Sequence, residues 1–152
     1  MAVIDPVQAF EESNCYGWHS ASWIKTYVTA GDESADTEVL MSLSTHPDLR
    51  IRQRVAENPK APTQALDLLC ADPSVEVRCA LASNAHISRH VAVRLVNDGD
   101  ATVRYACAEN NLLDEELLLE LAEDENPYVA HRAMKTLRNK ALNASDSAMP
   151  NI

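Results

Sequence analysis

IRQRVAEN, residues 51–58, decides how this chain is built, because its pattern returns twice at a fixed spacing. Ile51-Arg52, Val77-Arg78 and Val103-Arg104 stand 26 residues apart. Asn58, Asn84 and Asn110 keep the same step, and so do Asp72, Asp98 and Asp124. Leu43, Leu69, Leu95 and Leu121 carry it through four units without an insertion or deletion. A period between about 20 and 50 residues marks a solenoid, whose single unit cannot bury its apolar face alone and stacks on its neighbours. The fold class expected is all-α, an α-solenoid of about four two-helix units.

Outward from that stretch, the units run as 36–59, 60–85, 86–111 and 112–140, each with a helix A, a turn and a helix B. Helix A carries Val39, Leu40 and Leu43, then Ala65, Leu66 and Leu69, then Val91, Ala92 and Leu95, then Leu117, Leu118 and Leu121. That i, i+1, i+4 stripe is the buried face of an amphipathic helix. Asp36, Ser88 and Asp114 stand where an N-cap is needed, and Pro62 in the second unit implies a start shifted by one residue. Helix B has its own cap column, Asp48, Ser74, Asp100 and Asn126, ahead of the buried pairs Ile51/Val55, Val77/Leu81, Val103/Cys107 and Val129/Ala133. Asn58, Asn84 and Asn110 are expected to end it, since asparagine tolerates a left-handed turn. The fourth helix B has no such stop and is expected to reach about Asn139, ahead of a disordered tail over 141–152.

Residues 1–35 carry the pattern weakly. Asp5-Pro6 reads as the start of a short helix through Phe10, and Ser20 or Ser22 as the cap of a second that stops at Gly31. Five of the seven aromatics, including Trp18 and Trp23, fall here. They read either as a degenerate N-terminal helical cap that seals the core or as an aromatic recognition patch.

Composition narrows the functional classes. The chain is 46% hydrophobic and 24% charged, as in an ordinary globular protein, and its formal charge of −10 repels phosphate backbones. Nucleic acid is therefore not an expected partner. No apolar run of membrane-spanning length and no basic-then-apolar leader occur, so neither a membrane nor secretion is expected, and the location expected is cytoplasmic. The four cysteines show no disulfide or zinc spacing.

VAENPKAPTQALDLLCADPSVEVRCALASN, residues 55–84, resembles the leucine-rich variant repeat and, more broadly, HEAT-like α-solenoid repeats. The shared features are Val/Ile-Arg, Val-Ala-x-Asn-Pro, a proline before a leucine-rich helix, and Asp-Pro before the next Val-Arg. The pattern fades where Gly99 replaces the proline and Ala130 the arginine. The resemblance implies a right-handed superhelix of paired helices, some of them short 3₁₀ turns, but no single activity. The iron–sulfur segment of the founding leucine-rich variant protein is not carried over, because Cys15 stands alone in that region. The setting expected is a bacterial cytoplasm.

Two charged columns remain, Arg52, Arg78, Arg104 and Asp72, Asp98, Asp124. They read as structural ion pairs rather than acid/base groups, and their ends fix the pairing. His46 and Ala130 break the columns, so within-unit pairs would orphan Arg52 and Asp124, whereas pairs to the following unit close all three. Cys70 and Cys107 fall in core columns, and Cys79 in an outward one where a reactive thiol is conceivable. Cys15/His19 and His86/His90 have ligand-like spacing without a second pair, so no metal or other cofactor is expected. With no phosphate loop and no Ser/His/Asp set, the chain reads as non-enzymatic. What is left is a surface. The outward columns of helix B, among them Arg50, Gln53, Tyr105, Tyr128 and His131, face where solenoids bind extended partners. Binding of a protein or peptide, possibly basic and drawn by the acidic run DEELLLELAEDE, is the function expected. The alternatives are a DNA glycosylase on a HEAT-like scaffold, which needs a basic face, and a metal or iron–sulfur accessory protein.

Overall fold

The computed structural model describes residues 20–147, with side chains through Ala144. Over those residues the chain is all-helical, with nine α-helices and no strand. α1 (Ala21–Gly31) is followed by α2 (Thr37–Leu43), α3 (Leu49–Glu57), α4 (Thr63–Leu69), α5 (Val75–Ala82), α6 (Arg89–Val96), α7 (Ala101–Glu109), α8 (Glu115–Ala122) and α9 (Pro127–Ser147). The odd-numbered helices pack side by side in chain order, each against the next, while the even-numbered ones touch one another sparingly. The helix expected at Asp5-Pro6, Trp18 and the Cys15/His19 pair lie outside the described residues.

Starts are set by side chains. Asp36, Asp48 and Asp100 each accept the amide two residues on, at 2.8–3.0 Å, and Ser20, Ser74 and Ser88 the amide three on. Pro62 takes the cap position of α4 without the expected shift, because Thr63 stands in register with Thr37, Arg89 and Glu115. Its extended backbone, with ψ of 149°, is the conformation of an N-cap residue, so no slip is needed. Asp114 makes no cap bond and pairs instead with Arg89.

The core follows the apolar columns. Ile51, Val77, Val103 and Val129 are buried to 1% exposure or less, as are Val55, Leu81, Cys107 and Ala133. The column of Ala65, Val91 and Leu117 is buried too, but Val39 in the same column is exposed, since no described even-numbered helix precedes α2. At the other end Met134 is 52% exposed where Ala56, Ala82 and Ala108 are fully covered. These two positions mark the ends of the packing among the described residues.

Polar ladders tie the helices together at one offset. Arg52 Nε and Nη2 donate to Asp72 at 2.6 and 3.0 Å, Arg78 to Asp98 at 2.8 and 3.1 Å, and Arg104 to Asp124 at 2.7 and 3.1 Å. Each arginine thus reaches the aspartate of the following unit. Its Nη1 turns back to the carbonyl of its own unit, at His46, Asp72 or Asp98. His46 meets that need with its backbone, and its Nδ1 accepts the Asp48 amide, as each ladder aspartate accepts the amide two residues on.

A second ladder replaces the role expected for the asparagines. Asn58 and Asn110 are extended, not left-handed, with φ of −72° and ψ of 122° and 106°. Their side chains do the turning. Asn58 Nδ2 donates to the Ala30 and Asp32 carbonyls, Asn84 Nδ2 to those of Ala56 and Asn58, and Asn110 Nδ2 to that of Ala82. Each Oδ1 accepts the amide two residues on and bends the chain out of the helix. The fourth position is Thr136, whose hydroxyl donates to the Ala108 carbonyl at 2.6 Å. A hydroxyl lacks the amide oxygen that makes this bend, and α9 runs on to Ser147, past the end expected near Asn139 and into the stretch expected to be disordered.

Candidate partner-binding site

The solvent side of the odd-numbered helices is shaped by what each helix leaves outside its buried stripe. With Ile51 and Val55 inward, α3 presents Arg50, Gln53 and Glu57; α5 presents Glu76, Cys79 and Ser83; α7 presents Thr102, Tyr105 and Glu109. An open groove of about 700 Å³ crosses these three helices. Its floor is Val75, Cys79, Ala80 and Ala106, its rim holds Gln53, Thr102 and Tyr105, and Glu57, Glu76 and Glu109 are the charged residues lining it. The column through the floor reads Arg54, Ala80, Ala106, Arg132, so the depression lies where two alanines replace the long side chains at either end.

Of the residues expected at this surface, Gln53 and Tyr105 line the groove. Gln53 Nε2 donates to Glu57 at 3.3 Å, and Tyr105 is 36% exposed. Tyr128 and His131 are exposed on α9, beyond the lining residues, so the groove does not join them to Tyr105. Arg50 lies on the other flank, its guanidinium 5.3 Å from the ring centre of Trp23. Trp23 itself is half-buried, stacked on Tyr27 at 5.0 Å, and its indole N–H donates to Asp48 at 2.7 Å. Arg54 covers Tyr27 in the same way, at 5.3 Å, and a Cβ on Gly31 would meet its guanidinium at 2.5 Å. Trp23 is therefore engaged in joining α1 to α3.

The described thiols show raised pKa values. Burial raises the Cys79 thiol pKa and the nearby Asp100 carboxylate raises it further, while burial pushes Cys107 up to about 12. Neither holds the thiolate that nucleophilic chemistry needs. Among the described residues no three His, Cys, Asp or Glu side chains are gathered to hold a metal ion. No described helix is long and apolar enough to cross a membrane. The alanine floor escaped the sequence reading because that reading followed large outward side chains; the signal was the interruption of the Arg54/Arg132 column. The chain matches no protein-family model, no curated protein and no solved structure.

Proposed function

We propose that the chain is a non-enzymatic scaffold that binds a protein or peptide along the solvent face of α3, α5 and α7. In this reading the helices form a right-handed α-solenoid of about four 26-residue units behind an N-terminal helical cap, akin to leucine-rich variant and HEAT-like repeats. The observation that carries it is the groove, a depression open along its length with an apolar floor and a polar rim. Such a surface suits an extended chain, which offers side chains to the floor and backbone to the rim. The three glutamates and the net charge of −10 oppose a phosphate backbone there.

Selection from a random peptide display library, with bound clones re-tested against Tyr105→Ala and Ala106→Arg, tests the reading. Groove-directed peptides lose affinity for both variants. Clones that bind both variants as well as the parent, or retention of duplex DNA at physiological salt, would contradict it.

A further inference from the structure

We infer that the occupant of this groove is a basic extended segment carrying an apolar side chain between two cations; this rests on the partner-binding reading above. Three observations combine. The floor is apolar, since Ala80 and Ala106 leave depth beside Val75 and Cys79. An apolar side chain set there removes its own surface and that of the floor from water. The charged side chains lining the groove are Glu57, Glu76 and Glu109, and no lysine or arginine lines it.

The two arginines of the floor column stand outside the groove and do not cancel this. Arg54 Nη1 bonds Glu57 at 3.0 Å, and Arg132 Nη2 lies 3.4 Å from Glu109. Solvent-exposed pairs of this kind stabilise little. A carboxylate has about four lone-pair sites, so an incoming cation can share it without displacing its arginine, and Arg54 keeps its place over Tyr27. Glu76 accepts the Ser74 hydroxyl at 2.6 Å and is exposed on the groove wall.

Spacing sets the pattern of the segment. Packed helices lie about 8–10 Å apart, so Glu57 on α3 and Glu109 on α7, two helices on, stand roughly 16–20 Å apart. An extended chain advances about 3.3 Å per residue and alternates its faces, so two basic side chains about six residues apart reach both carboxylates from one face. Ser83 stands midway in their column, so an apolar side chain on the same face as the cations, about four residues after the first, falls between α5 and α7, where Ala80 and Ala106 form the floor. The acidic chain as a whole steers such a segment inward.

The test is fluorescence anisotropy with a labelled seven-residue peptide holding lysine at its first and last positions, leucine at its fifth, on the same face, and glycine and serine elsewhere. Controls replace both lysines by glutamate or the leucine by glycine. The lysine–leucine peptide should bind in a saturable, salt-weakened manner, with each control roughly tenfold weaker. Glu57→Gln with Glu109→Gln should weaken it by a similar factor, and Ala106→Arg should abolish it while circular dichroism melts stay at the parent temperature. Should Ala106→Arg unfold, Tyr105→Ala on the solvent side replaces it. Equal or tighter binding of the glutamate peptide, or unchanged binding to the floor variant, overturns the inference. No binding by any designed peptide overturns it too, while library-selected peptides that still depend on Tyr105 would leave the surface reading standing.

Discussion

Arg78 donates two bonds to the carboxylate of Asp98 and a third to the carbonyl of Asp72, and its side chain is only 16% exposed. Removing it strands a shielded carboxylate, a loss that typically costs about 3–5 kcal/mol. Arg89 also bonds two carboxylates, but in open solvent, where such pairs contribute about 0–1 kcal/mol. Arg78→Ala should therefore lower the urea midpoint far more than Arg89→Ala, and equal shifts would mean the ladder is not structural. Asn84 is the matching case without charge. It is buried and donates to the carbonyls of Ala56 in α3 and of Asn58, which caps that helix, so Asn84→Ala should cost about 1–3 kcal/mol in the same titration. The arginine pairing was legible because the columns end unevenly, at His46 and Ala130. The asparagine bonds were not, because a helix-ending asparagine is read first as a left-handed residue. The hint was the alanine column, Ala30, Ala56, Ala82 and Ala108, whose carbonyls accept from each asparagine and from Thr136.

At the scale of elements, caps with similar sequence prove unlike in role. Asp100 accepts the Thr102 amide at 2.8 Å at the start of α7, whereas Asp114 makes no such bond at the start of α8. Asp100→Ala should cost about 1 kcal/mol and Asp114→Ala less than about 0.5 kcal/mol, as read by thermal unfolding. Similar losses would show that first-turn charge, not the cap bond, sets the starts. Helix starts were readable because a cap is a local device of one side chain and one amide. The end of α9 was not, because its length turns on one substitution: Thr136 reaches back like an asparagine, but its hydroxyl favours a forward bend more weakly and the helix runs on. Lys140 then donates to the Asn111 and Leu113 carbonyls and holds the continued helix to the turn before α8.

For the molecule as a whole, the ladders set the response to acid. The bond from Arg104 holds the Asp124 carboxyl below its usual range. Burial raises that of Asp72, but the Arg52 bond and the Ser74 amide outweigh it, so the net shift is also downward. A carboxyl depressed in the fold stabilises above its unfolded pKa of about 3.9, and that contribution is lost as pH falls through the lower folded value. Melting temperature should therefore hold from neutral pH to about 5 and fall below about 4; a decline already complete by pH 5 would point to other groups. The stacking of helices was legible from spacing alone. The groove was not, since it depends on which small residues interrupt a column of long ones. Uniform offset of the ladders has one more consequence, that length is adjustable. Splice a copy of residues 60–85 in after Ala85, and Arg78 meets the copied aspartate while the copied arginine meets Asp98, with no group left over. Such a lengthened protein should melt no lower than the parent, and its outer face would measure a segment one helix-width longer.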